Sequence, residues 1–414
     1  MMNKPIPVAK DIYWIGVNDL ETHLFESIWP LPQGVCYNSY LIDDEKVALV
    51  DTVKRGYFPQ FLEKIKEVMK NGKTVDYLII NHMEPDHSGS MHVLRDVFPK
   101  MKIVGNKKTV DFAKGFYGDD APFHMVEDGD TLKLGKHTLK FFLTPMVHWP
   151  ETMMTYDVSN KILFSGDAFG GFGTLNGGIF DDEVDLSFFK NEILRYYSNI
   201  VAKYSPMVQK ALGKLKGLEV KLIAATHGPI FRKDPSYIIN LYDKWSRQET
   251  EKGAVIAYAS MYGNTQVMAE AIARSMAREG IDIIRLHNIS KSHLSFILTD
   301  IWRFKGIVLG SCTYNTKLFP PMDTLVRTLD NDKLTGRVLG IFGSYSWSGG
   351  AVKALKEYAD KCPNHHADPI IEAKYAPTDE DREKCVELGR NMAKEIVKEG
   401  PARNPCFLKD PRDR

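Results

Sequence analysis

The densest group of potential metal ligands in the chain is the hexapeptide His82-Met83-Glu84-Pro85-Asp86-His87. It directly follows an apolar run at residues 75–80, which predicts a strand, and α/β proteins build their sites at the carboxyl ends of strands. Because Pro85 has no backbone N–H to donate, we expect a turn here and not a helix. Any one of these residues alone is more typical of a polar or capping position, but the cluster points to metal chemistry.

Three further candidate ligands each come just after a predicted strand. His148 follows a strand at 139–144, Asp167 follows one at 161–164, and His227 follows one at 220–225. Because the ends of neighbouring strands meet at one edge of a sheet, we expect these side chains to converge on the hexapeptide. Without His87, the set has three imidazoles and three carboxylates. That is enough to hold two adjacent cations, with one carboxylate as a bridge.

A second group of polar residues lies in the C-terminal half, where Ser260-Met261-Tyr262-Gly263-Asn264-Thr265 joins a predicted strand to a predicted helix. Backbone N–H groups and hydroxyls at a helix N-terminus favour a phosphate. The loop has no basic residue and no Gly-Lys-Ser/Thr ending, which excludes a P-loop NTPase. Uncharged donors indicate a phosphate monoester, although Gly and Thr at a helix start also serve simply as caps.

Two more loops emerge at the same predicted sheet edge, after strands at 306–310 and 338–343. Their small residues let backbone amides approach a ligand, and Tyr345 and Trp347 could stack on a planar ring. The alternative is that these aromatic side chains close the end of a core. The candidate cofactor-binding residues of the three loops are Ser260, Met261, Tyr262, Gly263, Asn264, Thr265, Ser311, Thr313, Tyr314, Asn315, Ser344, Tyr345, Trp347 and Gly349.

The elements that position these residues fall into two domains separated by a polar stretch at 246–253. We predict residues 1–248 as the first domain, 253–400 as the second and 401–414 as a C-terminal tail. In the first domain, short strands mix with helical patterns at 58–69 and 191–215, which favours packed sheets flanked by helices. The predicted strands of this domain are 38–42, 47–50, 77–80, 139–143, 161–164 and 220–224.

In the second domain, predicted apolar strands alternate regularly with predicted helices. This alternation predicts an α/β fold with a doubly wound, five-stranded parallel sheet in the order 2-1-3-4-5. The predicted strands are 255–259, 281–286, 306–310, 338–343 and 369–373.

Composition excludes several classes of protein. The 54 Lys and Arg residues balance 53 Asp and Glu residues without a basic tract, which disfavours nucleic acid and anionic membrane as partners. No segment has the apolar length of a signal peptide core or of a membrane span, so we expect a cytoplasmic protein. The five cysteines are scattered and include no Cys-x-x-Cys pair, which disfavours a disulfide scaffold or an iron–sulfur cluster.

The N-terminal pattern resembles the metallo-β-lactamase fold, an αββα sandwich whose hydrolases usually carry a His-x-His-x-Asp-His motif that binds zinc. In this chain the second position is Glu84 instead of histidine. The additional carboxylate shifts the ligand preference toward iron or manganese, which can do redox chemistry. The three C-terminal loops, taken in order, resemble those of flavodoxin, and that resemblance implies FMN as the ligand.

The two halves together resemble the flavodiiron proteins over nearly the whole chain. The resemblance implies two non-haem iron ions held by catalytic residues His82, Glu84, Asp86, His148, Asp167 and His227, with His87 as a possible further ligand. It also implies that FMN passes electrons to the diiron centre, which reduces dioxygen to water, nitric oxide to nitrous oxide, or both. The implied partners are a separate electron donor, either a rubredoxin-like protein or reduced deazaflavin, and further copies of the chain in a head-to-tail homodimer or dimer of dimers.

Two other functions remain open at the level of sequence. The first is a zinc-dependent hydrolase of the metallo-β-lactamase fold fused to a flavodoxin domain, which would use a metal-bound hydroxide. The second is an electron-transfer flavoprotein whose N-terminal half is not catalytic.

Overall fold

The structure is a computed structural model that describes residues 4–69, 72–118 and 122–398. The described residues divide into two compact units at the boundary between Arg247 and Gln248. The expected tail at 401–414 lies outside the described residues, and the exact domain limits remain a prediction. Among the described residues, no helix combines the length and apolar character needed to cross a membrane.

The N-terminal unit alternates short strands with helices. Its strands are β1 Ile6–Ala9, β2 Ile12–Trp14, β3 Val17–Asp19, β4 Leu24–Phe25, β5 Trp29–Pro30, β6 Val35–Tyr37, β7 Tyr40–Ile42, β8 Val47–Val50, β9 Val75–Ile79, β10 Lys102–Gly105, β11 Phe123–Met125, β12 Thr131–Lys133, β13 Thr138–Leu143, β14 Met153–Asp157, β15 Ile162–Gly166 and β16 Leu222–Ala225. Its α-helices are α1 Phe58–Val68, α2 Pro85–Ser88, α3 Met91–Val97, α4 Lys107–Tyr117, α5 Leu186–Tyr196, α6 Ser205–Leu215 and α7 Pro235–Ser246.

Two sheets form the centre of this unit. The first has the order β1-β2-β7-β8-β9-β10-β11, and the second has the order β12-β13-β14-β15-β16. The sheets pack through buried aromatic side chains, since the ring centroids of Tyr40 on β7 and Phe164 on β15 lie 5.2 Å apart. Thr155 on β14 also donates to the Asn81 side chain at the end of β9, at 2.7 Å. The expected αββα sandwich is confirmed.

Two local expectations for this unit are wrong, and proline is involved in both. The segment at 191–215 is not one helix, because α5 gives way to a π-helical turn at Tyr197–Val201 and a 3₁₀ turn at Ala202–Tyr204 before α6 begins. Pro206 stands in the first turn of α6, where its missing N–H costs no hydrogen bond. Pro85 likewise opens the short helix α2 where we expected a turn, and Asp86 and His87 therefore lie on a helical turn.

The C-terminal unit has the regular alternation expected of it. Its strands are β17 Glu251–Ala259, β18 Ile284–Asn288, β19 Phe304–Tyr314, β20 Lys317–Leu318, β21 Val338–Tyr345, β22 His365–His366 and β23 Ile371–Lys374. Its helices are α8 Asn264–Arg278, α9 Leu294–Arg303, α10 Pro320–Asp332, α11 Ala351–Ala359 and α12 Asp379–Val397.

The sheet of this unit has the order β18-β17-β19-β21, and both β22 and β23 pair with β21 on its outer side. All of these pairs are parallel, so the order 2-1-3-4-5 and the flavodoxin-like fold are confirmed. The fifth position is filled by two short strands instead of one. The two-residue strand β20 adds an antiparallel pair beside the end of β19.

A close helix pair covers one face of this sheet. Buried side chains of α8 and α12, among them Met268, Ile272, Leu388 and Met392, form one apolar cluster with the strands. Gly389 allows the close approach of the two helices, because a Cβ atom at this position would lie 2.6 Å from the carbonyl oxygen of Ile272. The packing fixes α8, whose first turn begins at the predicted phosphate loop.

Candidate functional site

All of the predicted metal ligands lie at the ends of strands in the N-terminal unit. The hexapeptide follows β9, Asp167 follows β15 and His227 follows β16, while His148 lies in the loop between β13 and β14. The side chains are buried except that of Asp86, which is partly exposed. The ligand candidates of both sheets therefore meet in the interior.

The side chains form two groups with metal-ligand spacing. The first ligand group is His82, Glu84, His148 and Asp167, and the second ligand group is Asp86, His87 and His227. In the first, Glu84 Oε2 lies 3.2 Å from His82 Nε2 and 3.3 Å from His148 Nε2. In the second, Asp86 Oδ2 lies 3.3 Å from His87 Nε2 and 3.4 Å from His227 Nε2.

Asp167 lies between the two groups. Its Oδ2 is 3.1 Å from His148 Nε2 and 3.6 Å from His82 Nε2. Its Oδ1 is 2.9 Å from His87 Nε2 and 3.7 Å from His227 Nε2. One carboxylate therefore presents one oxygen to each ligand group.

The chemistry of this cluster fits a pair of cations. Among the described residues, both oxygens of Asp86, both ring nitrogens of His87 and Nε2 of His227 are buried and make no hydrogen bond. Buried polar atoms rarely lack a partner, so atoms of this kind converging in one place indicate a missing one. The ligand atoms are imidazole nitrogens and carboxylate oxygens without a thiolate, a set that suits iron.

The charges of the cluster support the same conclusion. Burial opposes protonation of His148, yet its hydrogen bonds to Asp167 and Glu84 outweigh this effect and raise the pKa of the imidazole to about 9. Burial opposes ionisation of Glu84, yet His148 and His82 hold its pKa down at about 2. The carboxylates thus favour positive charge between them, and a metal ion would supply it by displacing protons from the imidazoles.

Several residues that the sequence did not single out hold the ligands in place. Glu151 Oε1 lies 2.7 Å from His82 Nδ1, and the backbone carbonyl of Cys36 lies 2.8 Å from His227 Nδ1. The hydroxyls of Thr226 and Tyr196 donate to the Asp167 carboxylate at 2.5 and 2.8 Å. Such contacts fix the orientation of ligand side chains.

An aromatic wall lies beside the first ligand group. The Trp149 ring meets the His82 ring edge to face, with centroids 5.1 Å apart, and it also contacts Phe112 and Phe116. These apolar rings shield His82 from water on that side.

In the C-terminal unit, the three predicted loops line one cleft at the carboxyl ends of β17, β19 and β21. Ten of the predicted residues line it, namely Ser260, Met261, Tyr262, Asn264, Thr265, Thr313, Asn315, Ser344, Tyr345 and Trp347. The lining also includes residues that the sequence did not single out: Cys312, Thr316, Ser346, Ser348 and Tyr375.

The other four predicted residues do not line the cleft. Gly263 precedes α8 with φ of +96°, and its N–H donates to Ser260 Oγ at 3.0 Å, so it shapes the turn. Ser311 is fully buried on β19, and its hydroxyl donates to Cys312 O and accepts from the Phe319 N–H. Tyr314 and Gly349 also lie outside the lining.

The cleft has the features that a flavin phosphate ester needs. Hydroxyl groups surround the start of α8, where Thr265 Oγ1 lies 2.8 Å from Ser344 Oγ, and none of the described residues that line the cleft is charged. The side chains of Tyr262 and Trp347 are 93% and 83% exposed at its rim. Large aromatic surfaces left exposed beside polar donors are suited to stacking on a planar ring.

Comparisons with known proteins agree with this division. Residues 35–228 match the model of the ODP family beta lactamases, and residues 256–389 match the flavodoxin model. A nitric oxide reductase of Moorella thermoacetica is 33% identical over 96% of this chain and 100% of its own length.

Solved structures give the same picture. Rubredoxin oxygen:oxidoreductase from Desulfovibrio gigas superposes with a TM-score of 0.90 and 29% identity, covering 95% of this chain and 98% of that one. The flavodiiron protein from Giardia intestinalis has the same score and identity, covering 95% of this chain and 97% of its own. The chain therefore belongs to the flavodiiron protein family and is an oxidoreductase.

Proposed function

We propose that this protein reduces dioxygen to water, nitric oxide to nitrous oxide, or both, at a non-haem diiron centre that receives electrons from FMN. The observation that carries the proposal is the position of Asp167, whose two oxygens face different ligand groups. Asp167 and the two ligand groups on either side of it would hold two metal ions.

The ligands divide between the two iron positions. His82, Glu84 and His148 would hold one iron, while Asp86, His87 and His227 would hold the other, with Asp167 between them. Iron ions held by these residues would supply redox chemistry and open positions for a diatomic gas, and FMN would supply the electrons. The protein orients His227 through the Cys36 carbonyl and Asp167 through Thr226 and Tyr196. The Tyr196 hydroxyl also holds a proton 2.8 Å from Asp167 Oδ2, at the edge of the centre.

The same proposal assigns the cleft of the C-terminal unit to FMN. The phosphate would lie at the start of α8 near Asn264 and Thr265, and the ring would lie against Tyr345 and Trp347. The helix dipole and the hydroxyl donors replace the basic side chains that this lining does not contain.

The resemblance to the family also supports a proposal about partners. We propose that the electrons come from a separate donor, a rubredoxin-like protein or reduced deazaflavin. We also propose a cytoplasmic location and a head-to-tail homodimer or dimer of dimers. Analytical ultracentrifugation of the holoprotein separates the dimer from the tetramer.

The proposed function is tested by metal analysis and gas consumption on protein purified without oxygen. We expect two irons per chain, one FMN, and consumption of at least one of the two gases with a chemically reduced donor. Two zinc ions without iron would favour the hydrolase. Two results together would favour the electron carrier. The metal-free protein would still exchange electrons fully with a donor, and the metal-loaded protein would consume neither gas.

We propose His87 as an iron ligand because its Nε2 lies among Asp86 and Asp167 oxygens and makes no hydrogen bond to any of the described residues. His87→Ala should weaken the hold on one iron by at least about tenfold, since even the loss of an outer contact to a ligand has an effect of this size. Iron is counted after dialysis against a chelator. His137→Ala is the matched control, because His137 is a buried imidazole paired with Asp157 outside both ligand groups. Two irons held as tightly as in the wild type would refute the assignment.

A further inference from the structure

The carboxylate of Glu151 is buried directly behind the first ligand group. Its side chain has no exposed surface. Oε1 lies 2.7 Å from His82 Nδ1 and accepts a second hydrogen bond from the Met83 N–H at 2.9 Å. Oε2 makes no hydrogen bond within the described part of the chain. Burying an ionised carboxylate is costly, so such a group is rarely found without a partner that it pairs with, which here is His82.

Glu151 also connects the two sheets. It lies three residues after His148, in the loop between β13 and β14, while its carboxylate binds the loop that follows β9. Its carbonyl oxygen accepts a hydrogen bond from Asn106 Nδ2 at 2.5 Å, and Asn106 caps the start of α4. One residue therefore ties the loop of His148 to the loop of His82.

The contact determines which nitrogen of His82 is free. Because Oε1 already accepts the Met83 N–H, it acts as an acceptor toward His82 as well, and Nδ1 carries the proton. Nε2 then faces the first ligand group, where Glu84 Oε2 is 3.2 Å away and Asp167 Oδ2 is 3.6 Å away, and it would offer its lone pair to a metal ion that displaces its proton. A carboxylate on the far side of a ligand imidazole increases the electron density that the imidazole donates.

We propose that Glu151 is a positioning residue that acts through His82 to strengthen metal binding at the first ligand group and to lower the reduction potential of the centre. It also fixes the positions of the His82 and His148 loops relative to each other across the two sheets. This inference rests on the proposed diiron function, because it takes His82 as an iron ligand.

Glu151→Gln tests the role of the charge. The amide has the same size and its oxygen can still accept both hydrogen bonds, but the negative charge is lost. We expect a chelator to remove one of the two irons about 10- to 100-fold more readily than in the wild type. The midpoint potential of the centre, followed by redox titration of the full-length holoprotein, should shift to a more positive value, and the FMN content should not change.

Asp157→Asn is the matched control. Asp157 is a buried carboxylate on β14 whose Oδ2 lies 2.9 Å from His137 Nδ1, and neither residue belongs to a ligand group. Neutralising it should leave the rate of iron loss and the potential as they are in the wild type. Equal effects of the two variants would mean that general loosening of the sheet, and not the contact with His82, is responsible, and would overturn the inference.

The remaining outcomes separate this inference from the function on which it rests. A wild type with two irons and a Glu151→Gln variant with the same iron retention and potential would refute only the role of Glu151. A wild type that binds no iron would refute the diiron function itself. If Glu151→Gln does not fold, Asn106→Asp is the second test of the inference. This variant retains the side-chain cap of α4 but places a carboxylate, instead of the donating amide, against the Glu151 carbonyl oxygen. Selective loss of one iron would then support the inference, and unchanged retention would overturn it.

Discussion

Replacing Asp167 with alanine should abolish the consumption of both gases while the protein keeps its yellow flavin. Asp167 is the side chain shared by the two ligand groups, so its loss removes an oxygen from each and leaves a buried gap between the imidazoles. The loss of a single outer contact to a metal ligand typically costs 10- to 100-fold in metal affinity or activity, so removing the bridge should cost at least about 100-fold. Oxygen and nitric oxide electrodes measure the activity, and elemental analysis measures the iron.

The matched control for this variant is Asp157→Ala. Asp157 is also a buried aspartate of the second sheet, and it also pairs with a histidine, but it lies outside both ligand groups. Its replacement should lower the thermal stability and leave the iron content and the turnover of the folded protein unchanged. Full turnover in Asp167→Ala would remove Asp167 from the centre.

The candidate metal ligands could be found from the sequence because each one lies in the segment that follows a strand. The position of a residue at the carboxyl end of a strand is a local property, and the sheets then bring such positions together. The sequence also indicated a bridging carboxylate, and Asp167 lies where a bridge is needed.

The contacts behind the ligands could not be found in this way. Glu151 lies 69 residues after His82, and Tyr196 lies 29 residues after Asp167. Tyr196 lies at the end of a helix, and Glu151 lies at the far end of the loop after β13, next to β14. A buried glutamate or tyrosine in such a place gives no periodic signal. Tyr196 is the last residue of α5, immediately before a π-helical turn, and such turns are common at functional sites but have no clear sequence signature.

The loops predicted to bind the flavin show a further limit of prediction from sequence. The order of the parallel strands predicted which loops share a cleft, but not which residue within each loop faces it. Ser311 has the right chemistry, yet it is buried within β19 and its hydroxyl is bonded to the backbone of Cys312 and Phe319. Tyr375 lines the cleft from the loop after β23, where the sequence has no glycine or hydroxyl cluster to mark a ligand site.

Changing Gly263 to valine together with Thr265 to alanine should release FMN and leave the iron in place. Gly263 has φ of +96° with no atom within 4 Å of where a Cβ would be, so valine would meet no clash but would strain the backbone. Such strain costs about 1–3 kcal/mol, and the turn would relax away from the conformation that directs N–H groups at the start of α8. Loss of the Thr265 hydroxyl adds about 1 kcal/mol.

Together these effects should weaken FMN binding by about 10- to 100-fold or more, since each 1.4 kcal/mol is a factor of ten. Fluorescence titration of the flavin-free protein with FMN measures the affinity, and iron analysis checks the other unit. Gly280→Val is the matched control, because Gly280 lies just beyond the opposite end of α8 with φ of +85° and equally open surroundings. It should cost similar stability and leave the affinity for FMN unchanged. If the double variant binds FMN as tightly as the control does, the phosphate does not lie at the start of α8.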